Sequence, residues 1–259
     1  MLVAERHQKI IEIINENKSM KVTELSGIFS VTEETIRRDL EKLEKDNKIY
    51  RTHGGAVSLN RSEESEVSYS EREITNIPEK KEIAYLAVEE VIEDDTIILD
   101  ASSTALYMAR ELKDMSLTVV TNSIRVAYEL SKKSKITVIS TGGTMLSKSL
   151  SFSGPLAESS LSNYHVSKAF ISCQSFHINY GISDSNESQA RVKKKMMEQA
   201  DTVYLMMDYS KIGNKAFAHI DDIQTVDYVI TDSKTDRTHL MEIKDHNINV
   251  IKKYNKQEV

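Results

Sequence analysis

The sequence predicts a two-part protein, a small N-terminal winged helix-turn-helix domain followed by a larger α/β domain of Rossmann-like build. Three observations carry this. The first 57 residues show apolar residues at helical spacing, closed by a Gly54–Gly55 turn. From residue 96 onward, short runs that are apolar on both faces alternate with helical stretches, the pattern of a parallel sheet covered on both sides. Charge divides the same way. Residues 1–57 carry ten basic and ten acidic side chains, so the whole net charge of −6 belongs to the remainder and says nothing about what the first part binds.

Within 2–16, Val3, Ile10 and Ile14, flanked by Ile11 and Ile13, form one apolar helix face. KVTELSGIF repeats the pattern with Val22, Leu25, Ile28 and Phe29, and Ser30–Val31 then separates it from TEETIRRDLEKLEKDN. There Thr32 is a good N-cap, and Glu33 and Glu34 suit the positive end of the helix dipole. Ile36, Leu40 and Leu43 form the anchoring stripe. The opposite face presents Glu34, Arg38, Glu41 and Lys45, with Thr35 and Arg37 at its edges. A short turn between two such helices, the second with a polar N-terminal face, is a DNA-reading arrangement. Arg37 and Arg38 can pair bidentately with guanine or phosphate, and Thr35 can reach a base or phosphate. KIYRTHGGAVS follows as a wing of two short strands, with Arg51 and His53 placed to touch backbone or minor groove.

Residues 58–77 are rich in Ser and Glu without a sustained period, and read as a tether. Pro78 opens a helix in which Ile83, Ala87 and Val91 share a side. Strands are expected at 96–100, 117–122, 135–140, 168–173, 202–208, 227–232 and 247–251, with helices at Thr104–Leu112, Ser123–Lys132 and Asn186–Ala200. Ligands of such sheets bind beyond the carboxyl ends of the strands. There Asp100-Ala101-Ser102-Ser103-Thr104 opens a helix with hydroxyls and free backbone N–H groups, a natural phosphate site. Thr121–Asn122–Ser123 opens the next helix, Gly142–Gly143 allows close backbone approach, and Lys211 brings a positive charge to a strand end. Lys193–Lys195 reads as a solvated helix face, and Cys173 as a small core residue.

The stretch AERHQKIIEII…VTELSGIFSVTEETIRRDLEKLEKDNKIYRTHGGAV resembles the DeoR-type bacterial transcriptional regulators, above all in VTEETIRRDL together with RTHGGAV. KKEIAYLAVEEVI, IILDASSTA, TVVTNS, TGGT, GISDSNESQARVKKKMM and DYSKIGNKAF are similar, in order, to the sensor domain of that family. The resemblance implies a fold related to sugar-phosphate isomerases and a phosphorylated sugar as effector. It further implies that Ser102, Ser103 and Thr104 hold the phosphate, with Asp100, Asn122, Gly142, Gly143 and Lys211 nearby. One departure stands out: where the family usually has Gly-x-Asp-Gly, this chain has Ser172-Cys173-Gln174-Ser175, so Gln174 replaces the acid.

The expectation is therefore a repressor of a sugar-catabolism operon. Residues 1–57 read double-stranded operator DNA through Thr32, Glu34, Thr35, Arg37, Arg38, Arg51 and His53, 58–77 link, and 78–259 sense the effector and make a dimer or tetramer. The rival is a sugar-phosphate isomerase or deaminase with a DNA-binding appendage. It loses an obvious general base at Gln174. An architectural DNA binder fails on charge, because a neutral module on an acidic body has little pull on phosphates. No metal site and no cofactor are expected, since the seven histidines have no ligand spacing and no nucleotide-binding glycine motif occurs. A composition of 39% hydrophobic and 29% charged residues excludes disordered and collagenous classes. A charged N-terminus, a longest apolar run of Ile83–Val88 and a single cysteine indicate a cytoplasmic protein.

Overall fold

The computed structural model describes residues 3–17, 19–46, 48–52, 54–58 and 67–253. They fall into two compact units, Met1–Ser65 and Glu66–Val259.

The first unit runs α1 (Val3–Asn17), β1 (Ser19–Lys21), α2 (Val22–Phe29), α3 (Glu33–Lys45), β2 (Ile49–Thr52) and β3 (Gly55–Ser58). The apolar stripes meet as expected: Ile10, Ile14, Leu25, Ile36, Leu40 and Ile49 are fully buried together. α2 stops where Ser30 adopts a left-handed φ of 52°. Thr32 then caps α3, its hydroxyl oxygen accepting from the Thr35 amide at 3.2 Å. The wing has one strand more than the sequence suggests, because β1 joins it in the order β1-β3-β2, all antiparallel. That pairing explains Gly55: a Cβ there would lie 2.1 Å from the Met20 carbonyl oxygen, so no side chain fits.

The second unit begins inside the segment read as a tether. Residues 69–74 form a helix, α4 (Tyr69–Ile74), so the tether reading is corrected for that stretch. Ser68 and Glu71 form a reciprocal capping box and Tyr69 is buried. The short helix is held by these local bonds, by the inserted ring and by long-range bonds such as Tyr107 donating to the Glu73 carbonyl at 3.1 Å, none of which apolar periodicity over six residues can reveal. Then follow α5 (Ile77–Glu89), β4 (Thr96–Leu99), α6 (Ser103–Glu111), β5 (Leu117–Thr121), α7 (Ile124–Leu130) and β6 (Ile136–Ser140). A hairpin of β7 (Thr144–Leu146) and β8 (Ser151–Ser153) leads through α8 (Pro155–Leu161) to β9 (Val166–Ile171). After β10 (Ser175–His177) and β11 (Gly181–Asp184) come α9 (Glu187–Glu198), β12 (Ala200–Met206), β13 (Ala218–Asp221), β14 (Tyr228–Ile230), α10 (Arg237–Asp245) and β15 (Asn249–Ile251).

Seven strands, all paired in parallel, form the central sheet in the order β15-β14-β12-β9-β4-β5-β6. They correspond to the seven expected runs. Alternate residues serve opposite faces: Ile97 and Leu99 pack with Ile83, Ala87 and Leu106 of α5 and α6, while Ile98 packs with Leu161 and Met196 of α8 and α9. Each such fully buried aliphatic side chain contributes about 1.5–3 kcal/mol. From β4 the chain proceeds outward through β5 to β6, then returns to β4's other side with β9 and continues through β12. The direction reverses between β4 and β9, and the crevice beyond their carboxyl ends is where sheets of this kind hold ligands.

Candidate nucleic-acid interface and effector site

In the first unit α3 lies with its polar face outward. Arg37 and Arg38 have side chains 52% and 77% exposed. Both rest on their own helix: Arg37 donates to Glu33 at 2.7 Å, and Arg38 donates to Glu34 at 3.3 Å. Lys45 pairs with Glu41 in the same way. The Thr32 and Thr35 hydroxyls lie 2.9 Å apart and bond one another, so Thr32 is first a cap. Arg51 leans on α3, its backbone N–H donating to Glu44 at 3.1 Å. His53 lies outside the described residues. What the sequence does not flag is Asp39, on the buried side of α3. Arg6 donates to it from Nε at 2.6 Å and Nη2 at 3.1 Å, and His7 Nε2 lies 2.9 Å away. Burial alone would raise the Asp39 carboxyl, but Arg6 and His7 reverse this and hold it below the ordinary range. The clamp fixes α3 against α1, which sets the pitch at which the exposed arginines are presented.

In the second unit Asp100, directly after β4, is fully buried and satisfied by backbone. Its Oδ1 accepts from the Ser102 amide at 3.1 Å, and its Oδ2 accepts from the Ser172 amide, beyond β9, at 2.9 Å. Asp100 therefore ties the two strand ends at the reversal point together. Ser102 caps α6 through the Ala105 amide at 3.0 Å. Ser103 and Thr104 follow, both buried, their backbone amides at the positive end of the helix and their hydroxyls without a bonded partner among the described residues. Asn122, after β5, donates to the Phe152 carbonyl at 2.9 Å, while its buried Oδ1 has no partner among the described residues. Gly142 and Gly143 adopt φ of 60° and 112°. A Cβ at Gly143 would come within 2.7 Å of the Ser153 oxygen, so this glycine is required by the hairpin and α8 rather than by a ligand alone. Lys211 sits in a short turn after β12, close enough for its charge to act on the Cys173 thiol.

Lys193 corrects the reading of Lys193–Lys195 as a solvated face. It is buried, and its Nζ donates to Asp184 at 2.7 Å and to the Ser172 carbonyl at 2.7 Å, with Asp100 at 3.5 Å. The signal was present, since Lys193 falls on the stripe of Ala190, Met196 and Met197, all buried. Burial would raise the Asp184 carboxyl, but the charge and hydrogen bond of Lys193 outweigh it and keep it low. Burial likewise works against the Lys193 ammonium, and Asp184 and Asp100 more than restore it. So a carboxylate does stand near the strand ends despite Gln174, but one held ionised by a lysine and ill-suited to take a proton. Cys173 is buried, and burial pushes its thiol up to about 12, as fits a core residue.

Comparison with known proteins agrees with this layout. Residues 6–62 match the DeoR-like helix-turn-helix domain, and residues 75–233 match the DeoR C-terminal sensor domain. The chain belongs to the DeoR family. It is 58% identical over 250 residues to the HTH-type transcriptional regulator YulB of Bacillus subtilis, covering 96% of each chain. It is 37% identical to the regulator GolR of Listeria innocua, covering 95% of this chain and 96% of that one. To the transcriptional repressor GlcR of Bacillus subtilis it is 35% identical, covering 90% and 89%. As a DeoR-family member it is a helix-turn-helix transcriptional regulator with a C-terminal sensor domain. No helix among the described residues is long and apolar enough to cross a membrane.

Proposed function

We propose that this DeoR-family regulator is a repressor of a sugar-catabolism operon, released from operator DNA when a phosphorylated sugar binds the second unit. The observation that carries the effector class is the start of α6. Two amides and two hydroxyls, from Ser103 and Thr104, have no hydrogen-bond partner among the described residues at a helix N-terminus beside the sheet's reversal point, a site complementary to phosphate. Asn122 contributes a free acceptor for a sugar hydroxyl, and Lys211 adds positive charge. Asp100 acts by holding the loop, not by touching the anion. On the DNA side, Glu34, Thr35, Arg37 and Arg38 face the major groove, Thr32 anchors the helix start, and Arg51 and His53 serve the wing. The engaged state of Asp184 and Lys193 supports a sensor rather than an enzyme. The relatives named for sugar operons support the class of ligand, and since one, from Haemophilus influenzae, is named an L-fucose operon activator, activation is the second reading. A thermal-shift screen of sugar phosphates against the full chain, followed by operator release, tests the proposal, because a ligand of the native state raises its apparent stability. Release by a phosphorylated sugar but not by its parent sugar is the expected result; stabilisation by none overturns it.

A further inference from the structure

Exposed charges on the helices of this chain commonly find an answer on their own helix, as Arg37 does with Glu33, Lys45 with Glu41 and Arg191 with Glu187. The outward face of α5 is different. Lys81 and Glu89 are exposed there, and neither side chain has a hydrogen bond or ion pair among the described residues. Spacing is the reason. Neighbours three and four positions away could pair with them on a helix. Around Lys81 those positions hold Ile77, Pro78, Ala84 and Tyr85, none of them acidic. Around Glu89 none is basic.

Midway between the two charges stands Tyr85, 59% exposed and in no ring contact or hydrogen bond among the described residues. At 100° per residue, Pro78, Lys81, Tyr85 and Glu89 share a sector of about 80°, and all four are exposed. The far side of the helix carries Ile83, Ala84 and Ala87, fully buried, so α5 is rigidly seated. Pro78 lies seven residues before Tyr85, and Ile92, 65% exposed just past the helix end, lies seven after. An apolar stripe with a large ring at its centre thus faces outward without a covering element among the described residues.

The charges on that stripe are self-complementary. Lys81 and Glu89 sit four residues either side of Tyr85, roughly 6 Å along the axis in each direction. A two-fold axis through Tyr85 that lays a second α5 antiparallel on the first brings each Lys81 opposite the partner's Glu89, and Pro78 opposite the partner's Ile92. A parallel pair would instead set lysine beside lysine and glutamate beside glutamate. A pattern that matches its own reverse fits an isologous contact, the commonest kind between copies of one chain. The first unit also calls for a second copy, because one α3 reads one half-site.

We propose that the outward face of α5 is the surface through which two copies of this chain pair, antiparallel about Tyr85, with Lys81 of each copy against the partner's Glu89. The proposal is independent of the effector reading, since pairing is measured without DNA or sugar.

Analytical ultracentrifugation of the full chain tests it on the wild type, Lys81→Glu, Glu89→Lys, the double exchange of both, and an equimolar mixture of the two single variants. Each single variant sets like charges together twice per pair, and is expected to raise the dissociation constant of the pair about tenfold or more and to weaken operator binding with it. The double exchange restores opposite charges within each pair, and the mixture restores them across a heterodimer. Both are expected to return to within about threefold of the wild type. Rescue by mixing cannot come from a role inside one chain. Single variants that pair as the wild type does overturn the proposal, as does a mixture no better paired than its components, or a wild type that is monomeric. Operator binding lost while pairing stays intact also overturns it, and assigns the face to the DNA-reading unit. Should a single variant not fold, Tyr85→Asp takes its place, and wild-type pairing in that variant overturns the proposal equally.

Discussion

The two units treat their charged side chains in opposite ways. On α3 every arginine is exposed and already has a partner on its own helix, Arg37 with Glu33 and Arg38 with Glu34. Such exposed i,i+4 pairs are worth only about 0.3–0.5 kcal/mol, so they can be exchanged for a base or phosphate at little loss. In the second unit Asp100, Asp184 and Lys193 are buried and locked together, and Arg72 is half-buried over the Tyr69 ring, its Nε without a hydrogen-bond partner among the described residues. On the proposed function, an anion arriving there meets groups already fixed in place. A surface that must sample many DNA sequences keeps its charges loosely satisfied, whereas a site that must recognise one small molecule fixes them.

The sharpest test of the first half of that contrast is dimerisation. One α3 reads one half-site, so residues 1–65 alone should bind operator DNA on the order of 10²–10⁴-fold more weakly than the full chain. A full-length monomer in analytical ultracentrifugation with tight binding retained would contradict this. In the second unit, Lys193→Met strands two buried carboxylates and should lower the stability of that unit by roughly 3–5 kcal/mol, read by calorimetry. The pH dependence follows from the shifts. Asp184 is held low, so its contribution is present above the ordinary carboxylate range and is lost as pH falls through its depressed value. Lys193 is held high, so its contribution persists below the ordinary lysine range and is lost only as pH rises through its raised value. Stability should be flat around neutrality and fall in acid, and the gap between wild type and Lys193→Met should narrow there. A gap that widens in acid would show that the pair is not what holds the strand ends.

Next in size, Ser103→Ala with Thr104→Val should leave operator binding intact and abolish release by the effector, each lost bond to the charged group costing about 1.5–3 kcal/mol. Unchanged release would move the phosphate site elsewhere. Arg38→Ala should cost on the order of 1–3 kcal/mol on the specific site, and Lys45→Ala less, since Lys45 lies two turns further from the helix start. Equal losses on specific and random DNA would reduce Arg38 to a phosphate contact. The smallest effect belongs to Glu33→Gln, which removes the nearer of Arg37's two partners and leaves Glu34 at 4.0 Å, and should tighten binding to random DNA by no more than about 0.5 kcal/mol, with a steeper salt dependence. No change would mean that Arg37 does not meet the backbone.

What the sequence made legible is what burial against a wide core dictates. The seven sheet strands and the three helices of the first unit announce themselves through apolar spacing. The antiparallel pieces do not: β1, β7, β8 and β10 have three residues each, too few to show alternation. Lys193 was hidden because its partners stand 9 and 93 residues away in sequence and are brought to it only by the sheet. α4 was hidden because it is made by the capping box of Ser68 and Glu71, in a stretch whose composition suits a tether.

The anchoring of α4 and α5 has a consequence during synthesis. Asn76, between them, donates to Asp208, 132 residues later, and Glu79 pairs with Lys234. Neither partner exists when the DNA-reading unit has left the ribosome. At about 5–20 residues per second, roughly 7–34 seconds pass in which the nascent chain can already fold its α3 but cannot seat α4 and α5. A newly made molecule is thus, for that interval, a DNA-reading module without a completed receptor.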